Sequence, residues 1–103
     1  MNTQLINLLN NIQQALQQLD LWQTQPPHHT AFLSEQPFAL DTMEAHEWLQ
    51  WIFIPKIQAM IEANANLPRN FALHPYFEEI YKKQEEATTL LSLIKQLDEL
   101  MKD

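Results

Sequence analysis

The sequence contains no cysteine and no glycine. Without cysteine there is no disulfide, thiolate metal site, iron–sulfur cluster or cysteine nucleophile. Without glycine there is no phosphate-cradling loop and no dinucleotide fingerprint, since both need backbone at positive φ or close against a ligand. Basic residues are scarce: six Lys and Arg stand against 13 Asp and Glu, for a formal net charge of −7 over 103 residues. None of the six lies in the first 55 residues, and Arg69 is the only arginine. Lys and Arg supply most of the affinity for phosphate backbones, so direct binding of RNA or DNA is not expected. A long apolar run is missing as well. The first 19 residues carry no charge, but nine of them are Asn or Gln. Such a stretch is no membrane span, and it lacks the basic start and apolar core of a signal peptide. The expected setting is the cytoplasm, with no membrane contact.

Hydrophobic residues make up 46% of the chain, enough for the core of one domain over residues 1–103. Four stretches have helical period and none alternates as a strand does. The first helix is expected over 3–22, where Leu5, Leu8, Leu9, Ile12, Ala15, Leu16, Leu19 and Trp22 share one arc and only Ile6 falls off it. Pro26 and Pro27 forbid its continuation. Residues 23–41 form a long connection, with Phe32, Leu33, Phe38 and Leu40 available to pin it. The second helix, 42–64, has Asp41 as N-cap and Glu44 in near capping-box position. Its Trp48–Ile54 run is apolar except for Gln50, which places it in the middle of a bundle. Pro55 predicts a kink, and Asn64 or Asn66 a left-handed C-terminal cap. The third helix, 75–85, opens on Pro75, turns Tyr76, Phe77, Ile80 and Tyr81 inward, and carries Glu78–Lys82 and Glu79–Lys83 pairs outside. The fourth, 87–102, shares an apolar arc from Leu90 to Met101 and partners the first. The fold class is all-α: a four-helix bundle with a long loop between helices 1 and 2 and a Pro-kinked central helix 2.

Little in this chain points to catalysis. His46-Glu47-Trp48-Leu49-Gln50 resembles the helical zinc motif H-E-x-x-H, but its fifth position is Gln, a poor zinc ligand. His46 reads as an exposed histidine at a helix start, and His28-His29 as a solvated loop pair. No metal, cofactor or catalytic residue is assigned. The candidate binding feature lies on helix 2, where Glu44, Glu47, Trp51, Gln58 and Glu62 fall in one stripe at 100° per residue. An indole in an acidic stripe can anchor a protein partner. Alternatively the long loop, through Phe38 for example, covers Trp51. In that case Phe38 and the 65–74 segment with Arg69 become the binding candidates.

Residues 37–57, PFALDTMEAHEWLQWIFIPKI, resemble the YqcC-like family of small bacterial proteins. The resemblance rests on Pro37-Phe38, Asp41-Thr42-Met43-Glu44, Glu47-Trp48-Leu49-Gln50-Trp51 and Ile54-Pro55. It continues through Leu67-Pro68, Phe71 and Pro75-Tyr76, and covers the whole chain. The resemblance implies a small helical bundle and a context of tRNA modification, because the family is labelled by association with tRNA pseudouridine synthase C. A pseudouridine synthase needs a catalytic Asp, typically beside an arginine, and a basic surface for tRNA. No Asp here has an adjacent Arg. The expectation is therefore a non-catalytic accessory protein that binds the synthase. Synthase activity of its own is the competing reading, and a structural domain that self-associates through Trp51 is the third.

Overall fold

The apolar arc near the N-terminus becomes α1, Thr3–Gln18, in the computed structural model, which describes residues 2–103; Met1 lies outside the described residues. Leu5, Leu9, Ile12, Ala15 and Leu16 are buried, and Ile6 is exposed. The helix stops short of the expected residue 22. Asp20 adopts a left-handed φ of 59°, its N–H donates to the Gln17 carbonyl at 3.1 Å, and that of Leu21 to Leu16 at 2.9 Å. This Schellman closure ends the helix before the prolines are reached.

Ala45–Trp48, Leu49–Phe53 and Ile54–Glu62 run without a break as α2. Its start differs from expectation. Glu44, not Asp41, is the N-cap, and its N–H donates to the Glu47 carboxylate at 2.8 Å. Asp41 instead accepts the hydroxyl of Ser34. The middle segment, Leu49–Phe53, is a π turn, with the Ile54 N–H reaching back to the Leu49 carbonyl. The perturbation anticipated at Pro55 thus takes the form of a wider turn just before it. Proline has no N–H for the carbonyl four residues back, and its ring crowds that carbonyl. The C-terminal end follows the expected pattern. Asn64 is left-handed at φ 53°, and the N–H groups of Asn64 and Ala65 close onto Ile61 and Met60 at 3.1 and 2.9 Å.

The third helix, α3, spans His74–Tyr81, shorter than the expected 75–85, with Phe77 and Tyr81 buried. Ile80, expected inside, is exposed, because a two-turn helix presents only its i, i+4 pair to the core. The outer pairing also differs: Lys82 forms an ion pair with Glu79 at 3.1 Å, and the Glu78 carboxylate lies 3.4 Å from the His74 ring. A 3-10 turn, Glu85–Ala87, leads to α4, Thr88–Leu100. The last helix packs against both α1 and α3. Buried residues from all four helices form one cluster. This is an all-α four-helix bundle, and no helix among the described residues is long and apolar enough to cross a membrane.

α2 is not sheathed by helices all round, as its sequence suggested; the long connection covers part of it. That connection contains two 3-10 turns, His29–Leu33 and Pro37–Ala39. Of the four residues expected to pin it, Phe32, Leu33 and Leu40 are exposed and only Phe38 packs on the core. Ala39 and Met43 are buried instead. Phe38 and Ala39 both hold positive φ, 58° and 49°, in a turn closed by the Leu40 N–H on the Pro37 carbonyl at 3.2 Å. That geometry turns the Phe38 ring inward and leaves Leu40 outside.

Candidate functional site

One side of α2 is tied to the start of the long connection through Gln23. The Gln50 side chain, 5% exposed, donates to the Gln23 carbonyl at 2.7 Å and accepts the Gln23 N–H at 2.8 Å. The Gln23 amide in turn donates to the Glu47 carboxylate at 3.0 Å and accepts the Trp51 indole N–H at 2.8 Å. Trp51 is half-buried. The loop therefore covers it in part, through Gln23 and not through Phe38.

Of the stripe inferred from sequence, Glu47 and Trp51 meet at Gln23, and Gln58 borders with Trp51 and Trp22 an open depression of about 490 Å³. Glu44 is turned elsewhere: its negative charge acts on the phenols of Tyr76 and Tyr81 in α3. Burial first and Glu44 second raise the Tyr76 pKa. Burial, Glu44 and Tyr76, in that order, push Tyr81 up to about 12. Glu62 is exposed beyond the π turn, across which counting at 100° per residue fails. Arg69 is exposed and borders a separate small depression beside Leu5 and Met101. The Trp51 stripe and its alternatives, Phe38 and Arg69, thus border different depressions.

The other side of α2 carries an open, mainly apolar groove of about 390 Å³, walled by Phe38, Trp48, Ile52, Phe53 and Phe71, with Lys56 as its one charged residue. Phe38 stacks on Tyr76 with ring centroids 4.2 Å apart and meets Trp48 edge-on at 4.8 Å. Trp48 continues to Phe53 at 5.3 Å, and Phe53 to Phe71 at 5.4 Å. Trp48, expected in the core, is half-buried at the wall of this groove. Sequence reading missed Ile52, Phe53, Lys56 and Phe71 as a group. Their only local sign was the run of apolar residues continuing past Trp48.

His46 is half-buried, not exposed, and its Nδ1 has no hydrogen-bond partner among the described residues. No group of three His, Asp or Glu among the described residues is placed to hold a metal. Each of the four aspartates has a structural position. Asp20 closes α1, Asp41 accepts from Ser34, Asp98 caps α3, and Asp103 is bound to Asn70.

A family model, DUF446, described as tRNA pseudouridine synthase C, matches residues 4–100. The chain belongs to this family. It is 51% identical over 92 residues to an uncharacterised protein of Haemophilus influenzae, covering 89% of this chain and 87% of that one. It is 33% identical over 96 residues to YqcC of Escherichia coli, covering 92% and 88%. The solution NMR structure of YqcC from E. coli has the same fold, with a TM-score of 0.80 over 91% of this chain and 81% of that one. A third relative, tRNA pseudouridine synthase C of Pectobacterium carotovorum, is 44% identical over 63 residues, which are 61% of this chain and 17% of that protein.

Proposed function

We propose that the chain is a non-catalytic accessory domain that binds a protein, and that its partner is tRNA pseudouridine synthase C. The observation carrying this reading is the Pectobacterium relative. There a segment like this one makes up 17% of a longer polypeptide that bears the synthase name. A 63-residue stretch shared with a polypeptide that bears the synthase name fits a domain whose working partner is that synthase. The surface chemistry supports the same reading. The carboxylates of Asp41, Asp98 and Asp103 are engaged in hydrogen bonds within the fold, while the groove beside Trp48 leaves aromatic and aliphatic side chains partly open to solvent. Aromatic-rich concavities of this kind suit protein anchors. On this reading the domain works in tRNA modification in the cytoplasm without touching tRNA itself.

The test combines binding and turnover. Purified chain, purified synthase and their mixture are each incubated with unmodified tRNA, and the two proteins are run together on a sizing column. The expected result is co-elution, with pseudouridine formed only where the synthase is present. Pseudouridine formed by this chain alone would overturn the proposal and establish an enzyme.

A further inference from the structure

Five large apolar side chains are exposed among the described residues, and three of them, Phe32, Leu33 and Leu40, belong to the long connection. Leu33 is 72% exposed and Leu40 55%. The loop is fastened so as to hold them out. The Thr42 hydroxyl donates to the Ala31 carbonyl at 2.8 Å and the Ser34 hydroxyl to the Asp41 carboxylate, which joins residues 31–34 to 41–42 as one tip. Phe38 and Ala39, left-handed at φ 58° and 49°, leave Leu40 outside in the same turn that sends the Phe38 ring inward. Two successive left-handed residues with side chains are unfavourable backbone, and here they keep a leucine in water. An apolar tip built in this way marks an interaction surface.

The same turn forms one wall of the apolar groove, since Pro37 and Phe38 line it with Trp48, Ile52 and Phe71. A protruding apolar tip and an open apolar groove therefore stand side by side on one chain. Their charges are opposite in sign. The one charged residue of the groove is Lys56. Those of the tip are Glu35 and Asp41, both exposed, and no Lys or Arg precedes residue 56.

We infer that the tip of one copy of this chain fills the groove of a second, and the reverse, in a two-fold dimer. A closed two-fold interface needs one self-complementary patch, and a tip beside a groove, with acids on the first and a lysine in the second, is such a patch. Leu33 and Leu40 take the aromatic wall of Trp48, Phe53 and Phe71, and Glu35 meets Lys56 of the other copy. The apolar contacts hold the pair together, and the charges set its register. The Trp51 side of α2 offers no such match, because its indole N–H and the neighbouring Gln50 amide are already bonded to Gln23. The inference goes beyond the accessory reading and does not depend on it. It describes the free chain, and a synthase that used the same groove would have to displace the second copy.

Sedimentation equilibrium and nuclear magnetic resonance of the full chain provide the test, at about 0.15 M salt, where the Debye length is ~8 Å. The net charge of −7 on each copy opposes association, and screening relieves that repulsion. The expected result is a monomer–dimer equilibrium. As concentration rises, the Trp48 indole N–H and the amides of Leu33, Leu40, Lys56 and Phe71 should shift together, while the Trp22 and Trp51 indoles stay in place. Leu33→Asp/Leu40→Asp should dimerise at least tenfold more weakly, with an unchanged melting curve for the monomer, since both side chains are exposed. Lys56→Glu and Glu35→Lys should each weaken the dimer about twofold to fivefold, and the two changes in one chain should restore it. A chain that stays monomeric up to millimolar concentration overturns the inference, and so do shifts centred on Trp22 and Trp51. A dimer unaffected by the leucine variant overturns it as well, as does a charge-swapped chain that pairs no more tightly than either single variant. Co-elution with the synthase decides the accessory reading separately, and that reading survives each of these outcomes.

Discussion

Gln50 and Gln23, 27 positions apart, hold each other through a reciprocal pair: one side-chain amide serves both backbone groups of the other residue, at 2.7 and 2.8 Å. Buried in an otherwise apolar turn of α2, Gln50 replaces water for a segment of the connection that has no helix or strand to pair with. Gln50→Ala should leave both Gln23 groups unpaired, at about 1–3 kcal/mol each. Gln23→Ala keeps its backbone and should cost less, about 1–3 kcal/mol in all for the two lost bonds to Trp51 and Glu47. Urea denaturation of the two variants checks the order, and an equal loss in both would contradict it.

The N-terminus of α3 depends on a side chain from α4. Asp98 accepts the N–H groups of both Leu73 and His74, satisfying donors that a helix start leaves free. Asp98→Ala should destabilise by about 1–2 kcal/mol, as for loss of a strong cap. Amide hydrogen exchange at residues 73–77 should rise more than exchange in α1. Uniform acceleration across the molecule would indicate a general packing defect instead.

Two helices end on left-handed residues that are not glycine, and one of these sites is electrostatically unfavourable. Asp20 places a carboxylate at φ 59° beside the C-terminus of α1, where the helix dipole disfavours negative charge. Asp20→Gly should therefore stabilise the protein by about 1 kcal/mol. For a domain of this size that corresponds to a rise of about 4–8 °C in melting temperature. A fall in melting temperature would show that the aspartate makes a compensating contact.

High pH should weaken the fold through α3. The Tyr81 pKa is raised from its ordinary 10.0 to about 12, and that of Tyr76 is raised as well. Both folded-state values exceed those of the unfolded chain, so the neutral phenols favour the folded state. Their contribution is fully present below pH 10 and is lost as pH climbs toward about 12. Melting temperatures between pH 9 and about 12 should fall less steeply for Tyr81→Phe than for the native chain.

The helical faces were legible from sequence because burial follows the 3.6-residue period directly: Leu5, Leu9, Ile12 and Leu16 lie inside, and Ile6 outside. Asn64 was legible as a cap for a similarly local reason, since in a chain without glycine asparagine is the natural left-handed residue. What escaped notice depends on distant partners. Nothing near Gln50 announces Gln23, and nothing near Pro75 announces Asp98. Glu44 and Glu62 were grouped with Trp51 by a constant angle per residue, and the π turn between them removes that assumption. Phe38 could be named but not placed, because its position depends on two successive positive φ angles in residues that rarely adopt them.

The π turn has a further consequence for how this chain tolerates insertion and deletion. A π turn is an α-helix with one extra residue accommodated in a single turn. Removing one residue from Leu49–Phe53 would let α2 close into a regular helix, with better backbone geometry. Both flanks would keep their present register, because four residues of α-helix turn the chain about as far as the five of the π turn do. Regularising the turn without a deletion would instead rotate everything after it by about 100° relative to everything before. Ile54 and Ile57, now 2% and 1% exposed, would then swing out of the core, and Lys56 would leave the mouth of the groove. The wider turn thus absorbs one residue without turning either half of α2 from its neighbours, and a one-residue deletion within it is the change of length that α2 best accommodates.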